Sequence, residues 1–222
     1  MQIVLDRLLL FFGQVALRPG NHQDIAVLGS KLYFHPSAAF GLYEHDLITK
    51  STRELVPYGS GDYIAADSIF VFYDFSHKFV RRYNLSTDTT DLEFPLSSDV
   101  ELYGLGVYEH SVFVYINEFP GGCFLKKYSL DGMLLDSIPY TSAYSYVTIV
   151  DSIAYSMNYY TQPRSCEITR FDMRSRKYLS SLLSPVRLCG GIKVYEGNLY
   201  FCSSFKEFIG AVPFSALREK SP

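Results

Sequence analysis

Tryptophan is missing from this chain of 222 residues, so no recognition or repeat signature built on that residue is available to it. Cysteine is scarce. Cys123, Cys166, Cys189 and Cys202 form no C-x-x-C pair, which removes the usual zinc-site spacings. They fall late in the chain, in separate apolar segments, where buried free thiols are expected and one disulfide is the alternative. An excess of one charge is missing as well. The net charge is −3, both signs are interspersed and no basic stripe occurs, so a nucleic-acid partner is not expected. The N-terminal run "RLLLFFGQVAL" is too short for a membrane span, and no membrane partner is expected. Arg7 before it imitates a secretory signal, but Asp6 lies just upstream and no small-x-small cleavage site follows, so it reads as a core strand. The sequon Asn84-Leu85-Ser86 sits at the end of an expected strand and says nothing about secretion. The compartment stays open: cytoplasm comes first, secretion second if the N-terminus is a signal remnant. Long amphipathic helical patterns are absent too, and α/β folds fit poorly.

What the chain does have is 19 tyrosines and 17 phenylalanines, residues suited to pleated, half-buried surfaces. It also has a repeat. Apolar triplets occur at Leu32-Tyr33-Phe34, Ile69-Phe70-Val71, Val112-Phe113-Val114, Ile153-Ala154-Tyr155 and Leu199-Tyr200-Phe201. Their starts are 37, 43, 41 and 46 residues apart. Each follows a short polar step ("GSK", "ADS", "EHS", "VDS", "EGN"), and each step follows another apolar run, which is the pattern of a tight β-hairpin.

A third element follows each hairpin: "YEHDL", "RRYNL", "KKYSL", "TRFDM" and "VPFSAL". Its closing residues, Leu47, Leu85, Leu130, Met173 and Leu217, stand 38, 45, 43 and 44 apart. Asp, Asn, Ser and Asp precede the first four and favour a strand-ending turn. A fourth element appears as "ELVP", "LEFP", "LLDSIP" and "YLSSLLSP". Proline lacks an N–H and marks strand ends. Pro19, Pro57, Pro95, Pro139 and Pro185 close the fourth element or its equivalent, and Pro36, Pro120 and Pro163 fall between the second and third.

Four strands in about 40–45 residues is the arithmetic of a β-propeller blade. The expected fold is therefore all-β, a five-bladed β-propeller forming one domain over residues 1–222. An evenly spaced β-sandwich is the competing architecture. The last unit has three strands and then runs out at "LREKSP", with no outer strand of its own. "GQVALRP", residues 13–19, matches an outer strand ending in Pro. Residues 13–18 are thus expected to complete the fifth blade and remove an exposed sheet edge. If residues 2–10, "QIVLDRLLL", are instead a strand of another blade, the chain is a truncated six-bladed propeller.

"CFLKKYSLDGMLLDSI" resembles the outer half of a blade in the divergent propellers with NHL-like or YWTD-like repeats. The likeness covers residues 13–217 as an architecture. The diagnostic words Trp-Asp and Tyr-Trp-Thr-Asp are absent, and the pairs Gly121-Gly122 and Gly190-Gly191 do not make a kelch series. The resemblance implies a fold and no particular activity, because propellers serve as scaffolds, lectins, lyases and hydrolases.

In propellers, ligands usually meet the face built by the D–A and B–C loops. The B–C loops here are "HPSAAFG" (35–41), "DFSHK" (74–78), "INEFPGG" (116–122), "SMNYYTQPRS" (156–165) and "SSFKEF" (203–208), and each carries an aromatic. Tyr and Arg are favoured anchors in binding surfaces. The candidate binding residues are Phe75, His77, Asn117, Glu118, Phe119, Asn158, Tyr159, Tyr160, Arg164 and Phe205. The fourth loop is the longest and carries adjacent Tyr159 and Tyr160, which cannot easily both be buried. Against this, the rings would simply pack on their own loops or between blades.

No metal site and no catalytic residue is expected. His35 and His77 have no carboxylate or Cys beside both at ligand spacing. Asp24 and Asp62 precede inner strands near a central channel, where capping of loop amides is the simpler role. Gly104-x-Gly106 lies in an inner strand, where small residues relieve crowding, and is not a phosphate loop. The reading is a non-catalytic module for a protein or peptide partner on the B–C face, with no cofactor. Lectin-like carbohydrate binding is the alternative, although the five loops differ in length and wording. A lyase or hydrolase would need Asp24, Asp62, His35 and His77 to converge within the channel.

Overall fold

The recurring apolar triplets mark the second strands of five antiparallel sheets. A computed structural model describes residues 24–35, 41–46, 48–57, 63–76, 78–97, 99–140, 147–158, 166–184, 192–195, 197–202 and 209–220. Strands within a sheet are lettered A to D from the axis outward. Blade 1 is β1 (Ile25–Leu28), β2 (Lys31–Phe34), β3 (Leu42–Asp46) and β4 (Thr52–Val56). Blade 2 is β5 (Ile64–Asp67), β6 (Phe70–Phe75), β7 (Phe79–Asn84) and β8 (Thr89–Pro95). Blade 3 is β9 (Val100–Tyr108), β10 (Ser111–Glu118), β11 (Gly122–Ser129) and β12 (Leu134–Pro139). Blade 4 is β13 (Val147–Val150), β14 (Ile153–Asn158), β15 (Cys166–Asp172) and β16 (Lys177–Ser184). Blade 5 shows β17 (Ile192–Tyr195), β18 (Asn198–Cys202) and β19 (Ile209–Pro213).

Local chemistry makes these hairpins. The A–B turns place Glu109, His110, Asp151 and Ser152 at positive φ, the geometry whose twist matches two flanking strands. At the C–D turns the short polar residues cap backbone amides. Asp46 Oδ1 accepts from the Ile48 and Thr49 amides at 2.8 and 2.9 Å. Asn84 Oδ1 accepts from the Ser86 amide at 2.9 Å, and Asp172 Oδ1 from the Arg174 amide at 2.9 Å. Ser129 Oγ accepts from the Met133 amide at 3.1 Å.

The B strands are apolar on both faces because both faces are covered by neighbouring blades. In β10, Val112, Val114 and Ile116 pack toward blade 2, while Phe113 and Tyr115 pack toward blade 4. The core is a set of such interfaces. One cluster joins blades 1 and 2 around Tyr33, Tyr73 and Tyr83, and another joins blades 4 and 5 around Met157, Leu199 and Val212. His45 takes the buried place that Tyr83, Tyr128 and Phe171 hold in later blades.

The inner strands touch in the order β1, β5, β9, β13, β17, and β17 returns to β1. The ring therefore closes at five blades, and the six-bladed alternative is set aside. At the closing seam Tyr200 of blade 5 packs on Ile25, Leu32 and Phe34 of blade 1. Gly104 and Gly106 let β13 approach β9. A Cβ at Gly104 would lie 2.9 Å from the Val147 nitrogen, and one at Gly106 would lie 3.0 Å from Ile149 Cδ1. Residues 2–10 and the expected outer strand of blade 5, residues 13–18, lie outside the described residues.

The C-terminal end differs from expectation. The third strand of blade 5 stops at Pro213, which lacks the N–H needed to continue, and a 3-10 turn follows over Phe214–Ala216. The segment read as an unpaired end then forms β20 (Arg218–Glu219) on the outer edge of blade 4, opposite Leu182 and Leu183. Arg170 holds Glu219 at 2.8 Å, and Lys220 holds Glu167 at 2.8 Å.

Candidate functional site

Ile25 opens β1 and pairs with Phe34, which closes β2, so the entry to each A strand lies beside the B–C loop of its blade. That end of the ring carries the expected site residues that lie among those described. Phe75 ends β6. Its ring packs 6.4 Å from that of Phe79, and the Arg81 guanidinium lies 3.6 Å above it. Phe75 is thus held within its own blade. Asn117 and Glu118 end β10; Asn117 lies opposite Cys123, and the Glu118 carboxylate pairs with Lys126. Cys123 is a free, half-buried thiol. Phe119 follows with 67 % of its surface exposed, its amide donating to the Asp99 carbonyl at 3.2 Å. Asn158 ends β14 opposite Glu167. The Asn158 side chain and residues His77, Tyr159, Tyr160, Arg164 and Phe205 lie outside the described residues.

Exposed apolar side chains also occupy the opposite end. Ile48, Ile69, Met133 and Leu134 lie at or beside A–B and C–D turns. Salt links cross the blades there: Arg53 of blade 1 reaches Asp88 of blade 2 at 2.9 Å, and Arg176 of blade 4 reaches Asp136 of blade 3 at 2.7 Å.

The axis holds a group that sequence reasoning missed. Register with the A–B turns aligns Ala26, Ala65, Gly106, Thr148 and Lys193 as one ring of inner-strand positions. Four are small and one is a cation. The Lys193 ammonium lies 3.2 Å from Asp24 Oδ2 and donates to the Leu105 carbonyl at 3.4 Å. Asp24 also accepts from the Ile25 amide at 3.0 Å and the Ile64 amide at 3.2 Å. The amide-capping role expected for Asp24 is therefore present, and one ion pair ties blades 1, 2, 3 and 5 together. Burial pushes the Asp24 carboxyl up to about 6, although Lys193 and the two amides pull the other way. The signal for Lys193 lay in the repeat: "IKVY" is the one inner strand with a charge at this level.

On the A–B-turn side of the pair is a cavity of about 120 Å³, walled by that ring and by Val27, Ala66, Val107, Ile149 and Val194. Between blades 1 and 2, His35 and Asp74 are both buried. His35 Nδ1 donates to the Gly41 carbonyl at 3.1 Å, and Asp74 Oδ1 accepts from the Tyr63 amide at 2.7 Å. Burial lowers the His35 pKa against the opposing effects of the Gly41 and Tyr63 backbones and Asp74, so the ring is held toward its neutral form. Asp62 and His77, the other two groups considered for channel chemistry, lie outside the described residues. Among the described residues no three His, Cys, Asp or Glu side chains form a group able to hold a metal ion, and no helix is long and apolar enough to cross a membrane.

No protein-family model matches the sequence, and no curated protein matches it. Solved structures do. The Myxococcus xanthus glutaminyl cyclase is similar with a TM-score of 0.67 and 11% identity, over 91% of this chain and 93% of that one. The Kuenenia stuttgartiensis hydrazine synthase is similar with a TM-score of 0.58 and 11% identity, over 82% of this chain. This chain spans 55% of that hydrazine synthase chain. BamB from Moraxella catarrhalis aligns with a TM-score of 0.49 and 12% identity, over 86% of this chain and 61% of that one. At such identities the first two likenesses speak for the fold alone, and that fold, with its five sheets closed in a ring, is a five-bladed β-propeller.

Proposed function

We propose that this propeller is a non-catalytic binding module that holds a protein or peptide partner on its B–C loop face. The observation that carries the reading is Phe119, a large ring left 67 % exposed directly after a B strand that is buried from Ser111 to Ile116. Glu118 and Asn117 beside it supply polar groups at the rim. An aromatic anchor with a polar surround is the usual make-up of an energetic centre in a protein interface. Tyr159, Tyr160 and Arg164 of the fourth loop extend the same chemistry.

The test is a displayed-peptide selection on the intact protein, followed by affinity measurement on variants. Phe119→Ala should weaken the selected peptides by on the order of 30-fold, the size of a central anchor. Its stability should stay within about 0.5 kcal/mol, since the ring is exposed. Tyr159→Ala with Tyr160→Ala should behave alike, and Met133→Ser at the opposite end should leave affinity unchanged. Equal affinity of wild type and both B–C loop variants would refute the reading.

A further inference from the structure

We propose that the axial cavity is a binding site for a small monocarboxylate, with Lys193 as its charged anchor and Thr148 as its hydroxyl partner. The site is independent of the B–C loop face. Three observations meet here. The first is size. A cavity of about 120 Å³ has room for a small organic ion and not merely for one water, which needs only about 10–15 Å³. The second is the wall. Lys193 and Thr148 alone among its lining residues carry polar side chains; Ala26, Ala65 and Ile149 offer only hydrocarbon. An occupant with one anionic end and one short apolar end satisfies both kinds of surface, whereas water satisfies only the polar one. The third is the charge itself. A buried ion pair is no better for stability than apolar residues of similar volume. Four blades close this level of the ring with Ala, Ala, Gly and Thr, so packing does not call for an ammonium in the fifth.

Access favours the cation over its partner. The Lys193 side chain is 12% exposed and lines the cavity, whereas the Asp24 side chain is 1% exposed and does not, so Lys193 is the partner an occupant reaches. The pair has no net charge, and an added carboxylate brings one negative charge into apolar surroundings. Protonation of Asp24 relieves this and leaves Lys193 with the ligand as its counter-ion. Asp24 titrates near 6, within reach of mild acid. Among the described residues, His35 after β2 and Asp74 on β6 are the other buried ionisable groups of blades 1 and 2 near the entry to the A strands; β9 and β13 contribute no titratable side chain to the wall. Binding is therefore expected to take up a proton at Asp24 and to tighten by on the order of 20-fold between about pH 7.5 and about pH 5.5.

The experiment is isothermal titration of the full chain with sodium acetate and sodium propionate, in a buffer free of carboxylates, at constant ionic strength. One saturable site is expected, tighter at the lower pH, and absent in Lys193→Met. Thr148→Val, nearly isosteric and safe for folding, should weaken binding several-fold. Asp24→Asn should bind with little pH dependence, which separates Asp24 from His35 as the proton acceptor. No saturable heat at pH 5.5, full binding by the Lys193→Met variant, or equal competition by chloride would each overturn the proposal.

Discussion

Replacing Asp24 with asparagine isolates one buried charge at the seam where the ring closes. The Asp24 carboxyl is pushed from 3.8 up to about 6, chiefly by burial. At 1.36 kcal/mol per unit, that difference is worth about 3 kcal/mol. Its sign follows from proton binding. Between about pH 4 and pH 6 the folded chain holds this proton and the unfolded chain has released it, so stability falls as pH rises through that window. Above about pH 7 the penalty is nearly complete and constant. Asparagine is uncharged at every pH and keeps an oxygen for the Ile64 amide. The stability of the Asp24→Asn variant minus that of wild type should therefore grow by about 2 kcal/mol from pH 4 to pH 7, whatever its constant offset. Urea unfolding followed by far-UV circular dichroism at several pH values measures the difference, and other titrations cancel between the two proteins. Parallel stability curves would show that Asp24 is ionised as readily in the ring as in water, and the account of a desolvated axial pair would fail.

Other outcomes follow from named contacts. Gly132 has φ +80°, and a Cβ there would lie 2.7 Å from the Phe94 ring, so Gly132→Ala should cost about 2–4 kcal/mol. Gly29→Ala, with φ +57° and nothing within 4 Å, should cost only about 1 kcal/mol; equal losses in the two variants would contradict the packing argument. Gly106→Ala should destabilise through Ile149, and adding Ile149→Val should recover most of the loss in a double-mutant cycle; strict additivity would exclude that contact. Glu44 is buried and accepts from Lys31 at 2.7 Å, Arg53 at 3.0 Å and Tyr33 at 3.1 Å. Burial would raise its pKa, but the Arg53 and Lys31 hydrogen bonds outweigh burial and hold the carboxyl below its usual range. Its stabilisation is thus lost as pH falls below about 4.5; because Lys31 and Arg53 are themselves partly exposed, Glu44→Ala should cost about 1–3 kcal/mol at neutral pH and flatten that acid limb in chemical denaturation. Deleting residues 218–222 uncovers the edge of β16, so self-association by size-exclusion chromatography should rise with little change in melting temperature.

Much of the ring was legible from two local signals. Central strands must be apolar on both faces because blades cover both, hence triplets such as Val112-Phe113-Val114. The residues before Leu47, Leu85, Leu130 and Met173 must accept hydrogen bonds from turn amides, hence Asp, Asn, Ser and Asp. Both demands act over a few residues, so both appear as a period. The candidate site was less legible. Phe119 was found because a large ring beside Pro120 and two glycines has little chain to hide under. Phe75 looked equivalent, but its cover comes from Phe79 and Arg81 across the hairpin.

The sequence alone therefore determined the strand count per blade, the turn chemistry and the all-β class, since each depends on neighbours within one hairpin. Only the tertiary structure decided three other things: that Lys193 and Asp24 meet across the closing seam, that five small or charged positions enclose one cavity, and that Arg218–Glu219 dock on blade 4. The partners in those contacts stand far apart in the chain, up to 169 residues for Lys193 and Asp24. No local pattern encodes such a meeting; closure of the ring creates it.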